Sequence, residues 1–210
     1  MGLILKKYVD DDSLLGIWEI IEDYDTLFFK VNLDSNEKNI LNSFQNYQRK
    51  LEWLSVRVLI NELMEKECRI IYNELHKPSL DGCIHNISIS HSKNLTSILV
   101  SKNKQVGIDL EFMSHQIHRV AHKFINVDEV ISNQVEKQRV HLYIHWCAKE
   151  AIYKICDKQD INFKQNLTIN PFEIKDEGII YGRLHNRLNQ ELFKLNYFFI
   201  DGYVVVWCNK

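Results

Sequence analysis

Two segments of this chain carry opposite periodicities but related chemistry, and any fold must reconcile both with its core. In Val106-Gly107-Ile108-Asp109-Leu110-Glu111 apolar residues alternate with Gly107, Asp109 and Glu111. A period of two marks a half-buried strand with both carboxylates on one face. At ~3.3 Å rise per residue they stand about 7 Å apart, which suits a divalent cation shared with a phosphate-bearing ligand. In Trp146-Cys147-Ala148-Lys149-Glu150-Ala151-Ile152-Tyr153-Lys154 the period becomes that of a helix. Trp146, Glu150 and Lys154 follow one another at i, i+4, while Ile144, Ala148, Ala151, Ile152 and Ile155 supply an apolar side. A third carboxylate and a lysine thus share one stripe.

With 210 residues and 45% hydrophobic content the chain can bury a sizeable core. Its formal charge of -2 provides no global basic field, which argues against a nucleic-acid partner. No apolar run reaches the ~18 residues of a membrane span, and the amino terminus lacks a signal-peptide pattern. The five cysteines (68, 83, 147, 156 and 208) are odd in number and show no CxxC spacing, so neither a zinc knuckle nor a disulfide framework is expected. A cytoplasmic protein is the simplest reading.

Along the chain, Leu14 to Ile21 reads as a strand because of Gly16, with a short helix after Asp23. Tyr47, Leu51, Leu54 and Val58 recur at helical spacing and predict a helix over 44–66. Arg49, Trp53 and Arg57 lie on another face of it, and for the arginines a solvated flank is the plain reading. Pro78 forbids helix at His76 and Lys77. Residues 87–92, 96–101 and 105–112 then read as an antiparallel meander, with Ser90 and His91 ending its first strand. Residues 115–156 read as helical with a break at 124–129, followed by strands at 167–174, 179–184, 192–200 and 203–208. Helices followed by strands therefore occur twice, which predicts two α+β subdomains, 1–104 and 105–210, with the acids in the second and a ligand between them.

Three carboxylates without a histidine or cysteine cluster make a hard, oxygen-only site that favours Mg2+. Arg49, Lys77, His91 and Lys154 are cations of the kind that neutralise phosphate oxygens, so phosphoryl-group chemistry is expected. The plain alternative is a surface acidic pair with a Glu150–Lys154 helix ion pair, since D-x-E on a strand is weakly specific.

These residues also resemble the paired motifs of the 4'-phosphopantetheinyl transferase superfamily. Arg49-Lys50-x-Glu52-Trp53-Leu54-x-x-Arg57 is similar to its early arginine helix, Lys77-Pro78 to its Gly-Lys-Pro turn, and residues 87–92 to its Ser-His strand. Residues 161–172 are similar to the segment after its catalytic helix. Length and two-half organisation are similar to the larger Sfp-type monomers, and the resemblance implies two similar α/β subdomains related by a pseudo-twofold, each with helices on an antiparallel sheet. It implies transfer of 4'-phosphopantetheine from coenzyme A to a serine of an apo acyl or peptidyl carrier protein, releasing 3',5'-ADP. Asp109, Glu111 and Glu150 would hold Mg2+, with Glu150 also the general base and Lys154 neutralising the phosphate. Arg49, Lys77, Ser90 and His91 would hold the nucleotide end of coenzyme A. Glu129 corresponds to a family acid near the metal. The family glycine before Lys-Pro is His76 here, which puts the local backbone in question. Competing readings are a Mg2+-dependent phosphohydrolase or nuclease, and a coenzyme A-binding interaction domain without turnover.

Overall fold

The computed structural model describes residues 2–114, 116–156, 160–185 and 190–210. Its contacts divide into two units, Met1–Lys104 and Gln105–Lys210. The expected helical stretch begins at His115, which lies outside the described residues. Each unit is an antiparallel sheet with helices packed on it, so the α+β class holds.

The first unit contains β1 (Leu3–Asp10), β2 (Ser13–Glu19), α1 (Tyr24–Phe28), α2 (Ser35–Ser43), α3 (Tyr47–Met64), β3 (Ile70–Tyr72), β4 (Pro78–Leu80), β5 (Asn86–Ser92) and β6 (Leu95–Ser101). Its sheet runs β1-β2-β6-β5-β4-β3. Helix α3 starts where the Asn46 side chain accepts from Arg49 N–H, and it buries Leu51, Leu54, Val58, Leu59 and Leu63. At roughly 1.5–3 kcal/mol per buried aliphatic side chain, that stripe is the main attachment of helix to sheet. Two expectations fail here. Tyr47, read as the first residue of the apolar stripe, is exposed. Arg57 is buried rather than solvated: its guanidinium lies 3.1 Å from the Trp53 ring centroid, and its Nε donates to Glu37 at 3.0 Å. Glu37 is recruited from α2, where it also completes a capping box with Asp34.

The second unit contains β7 (Val106–Phe112), two single-turn 3-10 helices (Ile117–Arg119 and Ala121–Lys123), α4 (Val135–Ile155), α5 (Phe163–Asn166), β8 (Leu167–Ile169), β9 (Glu177–His185), β10 (Gln190–Ile200) and β11 (Tyr203–Asn209). Its sheet runs β7-β11-β10-β9-β8. The expected meander of three strands is therefore corrected: β5 and β6 pair, but β7 leaves them and pairs with β11, Asp109 opposite Val206. The cause lies in residues 102–105, which look like a hairpin turn in sequence. Lys102 N–H and the Asn103 side chain instead bond Asp12, and Gln105 exchanges both backbone hydrogen bonds with Lys210. The strand is thereby fastened to the carboxyl-terminal segment before it begins.

Helix α4 lies on this second sheet, with Ile144, Ala148, Ala151 and Ile152 fully buried. Its approach to β7 is so close that a Cβ added at Gly107 would sit 2.0 Å from the Ala151 carbonyl oxygen. The glycine in the Val-Gly-Ile-Asp run is what lets a helix carrying acids and lysines reach a strand carrying acids. Among the described residues no helix is long and apolar enough to cross a membrane.

Candidate active site

Strand β7 and helix α4 bring the four central residues of the second unit together. Asp109 is buried. Lys154 Nζ donates to Asp109 Oδ1 at 2.7 Å and to the Ile108 carbonyl at 2.9 Å. The Cys147 thiol, one helical turn before Glu150, also bonds Asp109, and burial together with the nearby Asp109 and Glu111 pushes that thiol well up. Glu150 has its pKa pushed up to about 7, first by burial and then by the charge of Asp109, with Lys154 opposing and Glu111 adding to the rise. Like charges crowded into a half-buried space raise the cost of ionising the last of them. Asp109, Glu111, Glu150 and Lys154 therefore form one electrostatic unit, and Lys154 turns to Asp109 across the packing interface.

Whether these residues suit a divalent ion can be judged from their chemistry. The donors are carboxylate oxygens only, and three acids against one ammonium leave an excess of negative charge that a hard cation would offset. Among the described residues no group of three or more His, Cys, Asp or Glu side chains is arranged to hold a metal as it stands. The Lys154 ammonium instead provides the counter-charge at Asp109 Oδ1. Donor type and charge fit Mg2+; binding it requires Asp109, Glu111 and Glu150 to close in.

Glu129 takes a different role from the one its family counterpart implies. Its Oε2 accepts from Lys149 Nζ at 2.8 Å and from Asn126 N–H at 2.9 Å, and its Oε1 accepts from Ile169 N–H at 2.8 Å. Lys149, beside Glu150 in the helix, also donates to the carbonyls of Phe124 and Phe163. Both side chains of this pair are completely buried. One ion pair thus ties α4 to the 124–129 segment, to α5 and to β8, and it fixes the rotation of the helix that presents Glu150. Sequence reasoning quoted Lys149 within the motif without giving it a role, because its partner Glu129 lies 20 residues away and no local pattern marks the pair. Trp146 packs edge-on against Phe124 and tilted against Phe163, so its place in the motif is also one of packing.

In the first unit α3 and β5 bring Arg49 and His91 together. Arg49 Nη1 lies 2.6 Å from His91 Nε2, and Glu52 Oε2 lies 3.2 Å from Arg49 Nη1 and 3.3 Å from His91 Nδ1. Glu52 is a member that motif reading noted without giving it a role. Ser90 is buried next to His91 on β5, and Lys77 lies half-buried in the connection from β3 to β4. That connection is organised by Asn73, whose side chain accepts from the N–H groups of Leu75 and Lys77. His76 adopts φ 58°, the left-handed conformation in which glycine is usual. The substitution that put this turn in question is accommodated at the cost of some strain.

The second unit of this chain, with its Gly-x-Asp-x-Glu strand packed on a Lys-Glu-Ala-x-x-Lys helix, belongs to the 4'-phosphopantetheinyl transferase superfamily, whose family model matches residues 105–208. Two curated relatives, the 4'-phosphopantetheinyl transferase AcpT of Salmonella typhi and that of Salmonella typhimurium, are each 27% identical to it over 112 residues. Those alignments cover 50% of this chain and 58% of each relative, so the chain spans less than two thirds of their length.

Proposed function

We propose that this protein transfers the 4'-phosphopantetheine group of coenzyme A to a serine hydroxyl of an apo acyl or peptidyl carrier protein, in a Mg2+-dependent reaction that releases 3',5'-ADP. The observation that carries this reading is the convergence of Asp109, Glu111 and Glu150 with Lys154 where β7 meets α4. The serine oxygen forms a bond to the phosphorus of the phosphopantetheine arm, and the bond from that phosphorus to the bridging oxygen of the pyrophosphate breaks. Asp109, Glu111 and Glu150 would hold the Mg2+, which when bound neutralises charge on the pyrophosphate oxygens. Glu150, with a pKa near 7, is suited to accept the serine proton, directly or through a water. Lys154 neutralises charge gathering on the phosphate. Arg49, Lys77, Ser90 and His91 hold the nucleotide end, with Glu52 orienting the Arg49 and His91 side chains.

The carrier is an acidic protein, and one exposed stretch suits it. His118, Arg119, His122 and Lys123 are all exposed on the two 3-10 turns, and no acid lies between residues 117 and 123. The enzyme is proposed to work as a cytoplasmic monomer.

The test is incubation with coenzyme A, Mg2+ and a panel of apo carriers, read by intact mass. A gain of one phosphopantetheine group on a carrier, abolished by chelation and restored by Mg2+ or Mn2+, is the expected result. Nucleotide release that continues when the carrier is omitted would reassign the site to a phosphohydrolase. Tight coenzyme A binding without transfer to any carrier would make it a binding domain.

A further inference from the structure

The first unit contains a second chemically distinctive cluster that the proposed transfer does not use. Cys83 Sγ lies 2.8 Å from His85 Nδ1. The turn that places Cys83 is closed by its N–H donating to the Leu80 carbonyl, with Gly82 at φ 62°. Strands β3 and β4 pair Ile70 with Leu80, and Asp81 N–H extends that ladder by donating to the Arg69 carbonyl at 2.9 Å. The open end of the hairpin therefore brings the residue before Arg69, Cys68, toward the turn that holds Cys83. The two thiols interact electrostatically, burial pushes the Cys68 thiol up with the Lys66 ammonium opposing, and burial followed by Lys66 and Lys102 holds His85 below the usual imidazole range, so that its Nδ1 is neutral and open to a proton. Both cysteines are half-buried, whereas Cys147 and Cys208 are sealed in the core of the other unit. Partial exposure beside an imidazole, the setting of Cys83, is one in which cysteines are reactive.

We propose that Cys83 and Cys68 form a reversible thiol–disulfide site, in which Cys83, paired with His85, reacts with a low-molecular-weight disulfide and Cys68 resolves the adduct. His85 Nδ1 takes the Cys83 thiol proton, and the thiolate attacks one sulfur of the disulfide RSSR. A Cys83–SR mixed disulfide forms, and RS– leaves and takes the proton back from the imidazolium. Cys68, deprotonated to solvent, then attacks the Cys83 sulfur, forming the Cys68–Cys83 bond and expelling the second thiolate. Two protein thiols are oxidised and one RSSR is reduced to two RSH. Cys83 is the attacking group because it has the imidazole; Cys68, whose thiol burial pushes up, is the resolving one.

The experiment exposes the reduced full-length chain to graded glutathione disulfide, quenches by alkylation and maps peptides by mass. Expected is a Cys68–Cys83 cross-linked peptide as the first product, formed at least about tenfold faster than modification of the half-buried Cys156. Cys68→Ser should instead accumulate glutathione on Cys83. His85→Gln should slow modification of Cys83 about tenfold and leave Cys156 unchanged. Melting curves of the reduced variants show whether each remains folded, and Cys83→Ala, which should abolish the cross-link, supplies a second variant. Reaction of Cys83 no faster than Cys156, or a rate indifferent to His85→Gln, overturns the proposal. So does stoichiometric uptake of Zn2+ by the reduced chain that is lost in Cys83→Ala, which would make the cluster a metal site.

Discussion

Helix α4 presents two polar stripes with opposite fates. His141, His145 and Lys149, at i, i+4 and i+8, are buried on the side that faces Phe172, Phe124 and α5. Cys147, Glu150 and Lys154, at i, i+3 and i+7, face Asp109 on β7. Each stripe contains a lysine bound to a carboxylate. Lys149 is completely buried and has three acceptors, one for each of its ammonium protons. Lys154 keeps a quarter of its side chain exposed, 26%, and shares its cluster with acids in excess. A sealed, fully satisfied pair can only hold structure together. An incompletely neutralised cluster that keeps partial exposure at Lys154 retains a demand for positive charge, which a cation would meet.

The largest effect should come from the stripe that faces Asp109. Glu150→Gln should lower single-turnover transfer to an apo carrier by ~10^2 to 10^4, the usual range for loss of a general base. Coenzyme A affinity by calorimetry should fall far less, since Arg49, Lys77 and His91 remain, and the melting temperature should stay near that of the parent. Near-normal transfer with a lowered melting temperature would erase the distinction between the stripes.

Breaking the sealed pair should act on stability instead. Lys149→Met leaves the Glu129 carboxylate buried without its counter-charge and should cost about 3 to 5 kcal/mol in urea unfolding. That corresponds to a melting temperature lower by about 10 °C for a chain of this size. Adding Glu129→Gln, which removes the stranded charge but keeps an acceptor, should recover part of the loss. A cost below about 1 kcal/mol for Lys149→Met would show that the pair does not clamp the helix.

The smallest effect is a pH dependence that sharpens the picture of the buried stripe. Burial lowers the pKa of His145 to about 3, with its Nδ1 against the His141 carbonyl at 2.8 Å. Burial also shifts His141 downward. Because the folded chain holds His145 neutral, its contribution is intact above pH ~6.5 and is lost as pH falls, when the unfolded chain takes the proton first. The loss should approach about 1.4 kcal/mol per pH unit between pH ~6 and ~4. His145→Leu should flatten the slope of unfolding free energy against pH by nearly that amount. Identical slopes in parent and variant would mean that water reaches the imidazole.

The sequence by itself determined what depends on neighbours along the chain. Alternation in 106–112 and helical spacing in 146–155 placed Asp109 and Glu111 on a strand and Glu150 and Lys154 on a helix, because strand and helix periods are local properties; the half-buried strand that alternation predicts is instead buried on both faces from Val106 to Leu110, because α4 covers the Gly107 face. The short helix after Asp23 and the strands at 179–184, 192–200 and 203–208 were legible for the same reason, whereas the strand expected over 167–174 ends at Ile169. Tertiary structure alone decided partners. That β7 leaves β6 for β11 depends on Asp12 and Lys210 capturing the residues before it, contacts far apart in sequence. Whether Arg57 is solvated depends on Glu37 being delivered by a separate helix. Lys149 and Lys154 are the same residue type on one helix, and nothing local to them distinguishes the clamp from the site. The difference comes from what packs on each side: carbonyls of Phe124 and Phe163 with a buried Glu129 on one, an acid-bearing strand admitted by Gly107 on the other.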